Sequence, residues 1–93
     1  MFTQNDINNI DQRYFRIVSA SAFGVTLQSK NTHHYWYILH QDYQHFSSCL
    51  IYHSHHGRTN FHKHGHAPDL PKAMKDIKGH DIFQLNGRKP QKH

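Results

Sequence analysis

Glutamate is absent from this 93-residue chain, whose six acidic residues are Asp6, Asp11, Asp42, Asp69, Asp76 and Asp81. The HExxH arrangement of zinc metalloproteases needs glutamate as its general base and is therefore excluded. Paired-carboxylate glycosidase chemistry finds little support either. Cysteine is nearly absent too. Cys49 has no second cysteine to pair with, which rules out the disulfide framework of small secreted domains and makes a reducing cytosol the simpler setting. Long apolar runs are also missing. No stretch approaches the roughly 20 apolar residues of a membrane-spanning helix, and MFTQNDINNIDQ lacks the basic start and apolar run of a signal peptide. The expectation is a cytoplasmic protein with no membrane attachment.

The chain does contain aromatic rings, lysines and histidines. Hydrophobic residues make up only 35%, yet eleven Phe and Tyr plus Trp36 place much of the apolar surface in large rings, so a small aromatic core is feasible. A domain this short has a modest stability margin, and without a disulfide a metal or a partner is the available reinforcement.

The periodicity predicts α+β architecture: an antiparallel sheet of four to five strands, one main C-terminal helix on it, and a short N-terminal helix around Ile7 and Ile10. YFRIV (14–18) and VTLQS (25–29) read as a hairpin around SASAFG. YWYILH (35–40) carries apolar groups on both faces and should be central. CLIYHSH (49–55) puts Cys49, Ile51, His53 and His55 on one face, and FHKH (61–64) returns after Gly57. In APDLPKAMKDIKGHD, Asp69 caps, Pro71 fits the first turn and Gly79 terminates, giving a helix over about 70–78. Its apolar stripe is Leu70, Ala73, Met74 and Ile77, with His80 at the end and Phe83 and Leu85 packing after it. Residues 1–85 form one domain and 86–93 a basic mobile tail.

Six of the twelve histidines fall in IYHSHHGRTNFHKHGH, residues 51–66. Imidazole suits zinc, nickel and copper, and residues two apart on a strand share a face, so His53 and His55 project together, as do His62 and His64. In a hairpin His53 lies opposite His62, and His80 arrives from the helix. The expected ligands of one structural zinc ion are His53, His55, His62 and His80, with His64 and His66 as substitutes and His56 in the turn. His33, His34, His40 and His45 are assigned to the surface. Zinc is preferred to copper because no methionine or thiolate set is available for copper(I).

Lys72, Lys75 and Lys78 on the outer side of the helix, with Arg88, Lys89 and Lys92 in the tail, form a footprint suited to nucleic-acid phosphates or a protein partner. A solvated helix face has the same pattern. Tyr35, Tyr37 and Tyr52 could stack bases if exposed, and are equally ordinary strand residues. IYHSHHG with Asn60 and His64 resembles the ββα-metal nucleases over about 30 residues, without their paired cysteines; that resemblance implies a water-activating histidine. The GHD at 79–81 resembles the His-Asp pair of larger metal-dependent phosphohydrolases.

HSHH and HKHGH, in a chain of this size, resemble the zinc-containing anti-CRISPR inhibitors of type II Cas9 nucleases carried by phages and mobile elements. The resemblance implies a non-catalytic protein that docks on the nuclease and obstructs DNA loading. The net charge of +5 departs from acidic inhibitors that imitate DNA, so docking to a protein lobe is the expectation. The alternatives are a small basic nucleic-acid-binding protein and a ββα-metal nuclease.

Overall fold

The computed structural model describes residues 1–42, 47–55 and 61–85. Helix α1 (Gln4–Asn8) precedes strands β1 (Phe15–Ala20), β2 (Gly24–Ser29), β3 (Tyr35–Asp42), β4 (Ser47–Ser54) and β5 (His62–Ala67), and α2 (Leu70–Leu85) closes the order. The strands pair antiparallel in sequence order, which places β3 in the middle of a five-stranded sheet. This is the expected α+β architecture.

Strand alternation divides the sheet into two unlike faces. One cross-strand row is Ile17, Leu27, Trp36, His53 and His62, and the next contains Val25, Ile38 and Ile51. Leu27, Trp36, Val25, Ile38 and Ile51 are completely buried, as are Ala73 and Ile77 of α2. Phe2 and Ile10 join the same cluster from the N-terminal segment. Burial of each large side chain there contributes on the order of 1.5–3 kcal/mol, enough to hold short elements that would not persist alone.

Helix α1 depends on its cap. Thr3 Oγ1 accepts from the Asp6 amide at 3.1 Å, and Asp6 Oδ2 accepts from the Thr3 amide at 2.8 Å. The pair closes a capping box that satisfies two otherwise orphaned donors. These bonds hold the Asp6 carboxyl below the usual carboxylate range.

Helix α2 begins as expected, with Asp69 Oδ1 accepting from the Lys72 amide at 2.9 Å. It does not end at Gly79. It continues to Leu85, so His80 lies within the helix and not at its end. A Cβ at Gly79 would meet nothing within 4 Å, so that glycine faces open space and costs the helix only about 1 kcal/mol relative to alanine. The compensation follows immediately, because Asp81 is fully buried and bonded to the sheet. Phe83 and Leu85 do not pack into the core as expected but are 38% and 57% exposed, since the continuing helix turns them outward. Among the described residues no helix is long and apolar enough to cross a membrane. The basic tail, 86–93, lies outside the described residues.

Candidate metal centre

Trp36 organises the site. Its indole N–H donates to Ser29 Oγ at 3.1 Å, and its ring lies under His53 with centroids 4.0 Å apart and planes 12° from parallel. His53 is 1% exposed and faces the core side of β4. His55, two residues on and just past the strand end, stays on the same side with its ring 4.5 Å from that of His53. The third member is His34. Its ring centroid lies 4.9 Å from His53 and 4.5 Å from His55, and its Nδ1 sits 3.0 Å from His53 Nε2.

One ligand nitrogen from each of His34, His53 and His55 lies within 4.8 Å of the others, so this group could hold a metal ion. Bonds of 2.0–2.1 Å to a tetrahedral ion would place adjacent nitrogens about 3.3 Å apart, so small side-chain adjustments convert the cluster into a coordination shell. Binding requires unprotonated imidazole. Burial, followed by the neighbouring His55, His34, His80 and His62, pushes His53 down to about 3. Its ring is therefore neutral at pH 7 and ready to donate a lone pair.

His34 was expected at the surface, but a turn carries it inward. His33 takes a left-handed conformation, φ 64°, and its amide donates to the Ser29 carbonyl at 2.8 Å, while the Ser29 amide donates to the His34 carbonyl at 3.0 Å. Helix α2 braces this turn from below. Thr32 Oγ1 donates to Asp81 Oδ1 at 3.0 Å and accepts from the His34 amide at 3.3 Å. Asp81 Oδ2 also accepts from Ser29 at 2.6 Å and Tyr14 at 2.8 Å. One buried carboxyl thus reaches His34 through Thr32 and reaches His53 through Ser29 and Trp36. Burial, assisted by Asp81, pushes the Tyr14 hydroxyl up to about 12.

The other expected ligands divide. His62 pairs with His53 in the β4–β5 register, and its ring lies 5.4 Å from His53 and 6.1 Å from His55, at the edge of the triad. His80 is 5.1 Å from His53 by ring centroid, yet its Nε2 faces the Gln84 amide nitrogen at 3.2 Å and its ring packs on His64 at 4.7 Å. Burial and then His64 push His80 downward, against the opposing pull of Asp81 and Asp76. An irregularity in β5 opposite Ile51 and Tyr52 accompanies the inward position of His64, whose Nε2 is 3.4 Å from Asp76 Oδ2. His66 is exposed on the opposite face, and His40 packs edge-on against Phe2, 5.0 Å away.

Lys72 and Lys75 are exposed, whereas Lys78 donates to Asp11 Oδ2 at 3.3 Å and sits 5.0 Å from the Tyr14 ring centre. The expected sites at His45, His56, Asn60, Arg88, Lys89 and Lys92 lie outside the described residues. No family model, curated protein or solved structure matches this chain.

Proposed function

We propose that the protein is a non-catalytic zinc-binding protein in which one structural ion is held by His34, His53 and His55, and that it acts by binding another macromolecule. The observation that carries the metal reading is the convergence of three imidazoles within 4.8 Å around a buried, neutral His53. Three imidazoles suit zinc, which accepts tetrahedral nitrogen ligation without geometric strain. His62, whose ring lies beside both His53 and His55, is the candidate fourth ligand, since the nearer ring of His80 is engaged by Gln84 and His64. An ion in this position would tie the turn before β3 to β4 and, through Trp36, to the core. That linkage favours a structural role, because the ion would reinforce the His34–His53 contact between the turn and β4.

Zinc titration of the metal-free full chain, purified without a metal-affinity step, tests the site. The expected stoichiometry is one ion per chain, with affinity falling at least tenfold in His34→Ala or His55→Ala and by less in His62→Ala. Equal affinity in the wild type and His34→Ala rejects the triad. The HSHH and HKHGH segments make a type II Cas9 nuclease the candidate protein partner. Inhibition of DNA loading in a Cas9 panel supports that assignment; an empty panel removes it without touching the metal reading.

A further inference from the structure

The sheet face turned away from the helices has a chemistry of its own. Tyr37 lies across from Thr26 and Tyr52, and Tyr52 from Lys63, while Arg16, Gln28 and Tyr35 form the adjoining row. The Tyr37 and Tyr52 ring centres are 6.2 Å apart, and Phe61 lies 6.5 Å from Tyr37. These rings are half-buried, in contrast to the completely buried side chains opposite. Every strand residue in the hydrophobic core belongs to the other face, where α1 and α2 pack, so among the described residues no helix covers this one.

Charge is distributed the same way. Arg16 and Lys63 are exposed, and Arg16 Nε donates to Gln28 Oε1 at 2.9 Å, confirming their shared face. The aspartates with described side chains lie elsewhere: Asp6 and Asp11 in the N-terminal segment, Asp69, Asp76 and Asp81 at the start of α2 or within it. A row of aromatic faces bordered by cations, with no described carboxylate among them, is complementary to a polyanion that offers flat, unpaired rings.

We propose that this open sheet face binds single-stranded nucleic acid, stacking bases on Tyr37, Tyr52 and Phe61 and placing phosphates against Arg16 and Lys63. This goes beyond the metal reading and uses the opposite side of the sheet. A single strand is favoured over a duplex because only unpaired bases can present their faces to the rings.

The test is fluorescence anisotropy of the full zinc-loaded chain with a fluorescein-labelled 15-mer of uridine or thymidine. The expected result is salt-sensitive binding, stronger than to a duplex of equal length or to an oligoglutamate peptide. Tyr52→Ala should weaken it about tenfold by removing a stacking platform. Lys63→Glu, at an exposed position, should weaken it comparably and carries the test if Tyr52→Ala fails to fold. Zinc content and melting temperature measured on the same samples should be unchanged in Lys63→Glu, which separates failure here from failure of the metal site. Absence of binding at low salt, equal binding to duplex or oligoglutamate, or sensitivity to Lys72→Glu and Lys75→Glu instead of Lys63→Glu would overturn the assignment.

Discussion

Asp81→Ala should be among the most damaging single substitutions in this fold, and its effect should extend to metal affinity. The side chain is 0% exposed and accepts from Tyr14, Ser29 and Thr32 at 2.8, 2.6 and 3.0 Å. Hydrogen bonds to a charged acceptor are each worth about 1.5–3 kcal/mol, but relief from burying the carboxyl group offsets part of their sum. Tyr14 and Thr32 are half-buried and can turn to water, whereas Ser29 is completely buried and its hydroxyl proton would be stranded. A net loss of about 3 kcal/mol follows, and at about 4–8 °C per kcal/mol for a domain of this size the melting temperature should fall by more than about 10 °C. Asp81→Asn retains one acceptor oxygen and should cost roughly half as much. Thermal denaturation followed by circular dichroism, with zinc titration on the same variants, is the assay. Because Thr32 links Asp81 to the His34 amide, zinc affinity should fall about tenfold in Asp81→Asn. A melting temperature within about 2 °C of wild type in Asp81→Ala refutes the stability argument. A destabilised Asp81→Asn with unchanged zinc affinity refutes the positioning argument.

Three further predictions follow from buried groups. Between about pH 6.5 and 3 the unfolded chain protonates His53 while the folded chain does not, so metal-free protein should be fully stabilised by this group above pH 6.5 and lose a few kcal/mol as pH falls toward 3. A urea midpoint unchanged between pH 7 and 4.5 contradicts that sign. Cys49 is 1% exposed, and burial, then Asp69 and Asp6, push its thiol up to about 11, so a thiol reagent should label it slowly in the native protein and rapidly in denaturant. Stoichiometric labelling of the native chain within a minute would contradict this. A Cβ on Gly24 would overlap the Tyr37 phenol, so Gly24→Ala should cost about 1–2 kcal/mol, and in a double-mutant cycle Tyr37→Ala should relieve part of the loss. Strict additivity would show that the two positions do not meet.

The strands were legible because their alternation is clean. In YWYILH, both parities are apolar and β3 is central; in CLIYHSH, the Cys49, Ile51, His53 parity is the buried one. The end of α2 was not legible. Gly79 is a local stop signal, and the carboxyl that carries the helix past it finds its donors on residues distant in sequence. His34 is harder to read, because THH has the polar composition of a surface loop. Extending the β3 alternation two residues back places His34 on the parity of Trp36 and Ile38, a signal the sequence does carry. The left-handed turn at His33 that delivers it was not visible in composition. His53 opposite His62 followed directly from the hairpin, whereas the separation of His80 from the triad depended on its Gln84 and His64 contacts.

The most direct test of the account is the melting temperature of the full chain with zinc bound and after verified removal of metal by a chelator. Linkage requires an ion that binds only the folded state to stabilise it, by about 2.7 kcal/mol at a hundredfold excess over the dissociation constant. The melting temperature should be lower without metal, and one equivalent of zinc should restore it in the wild type and not in His53→Ala. Identical melting curves with and without metal would contradict it.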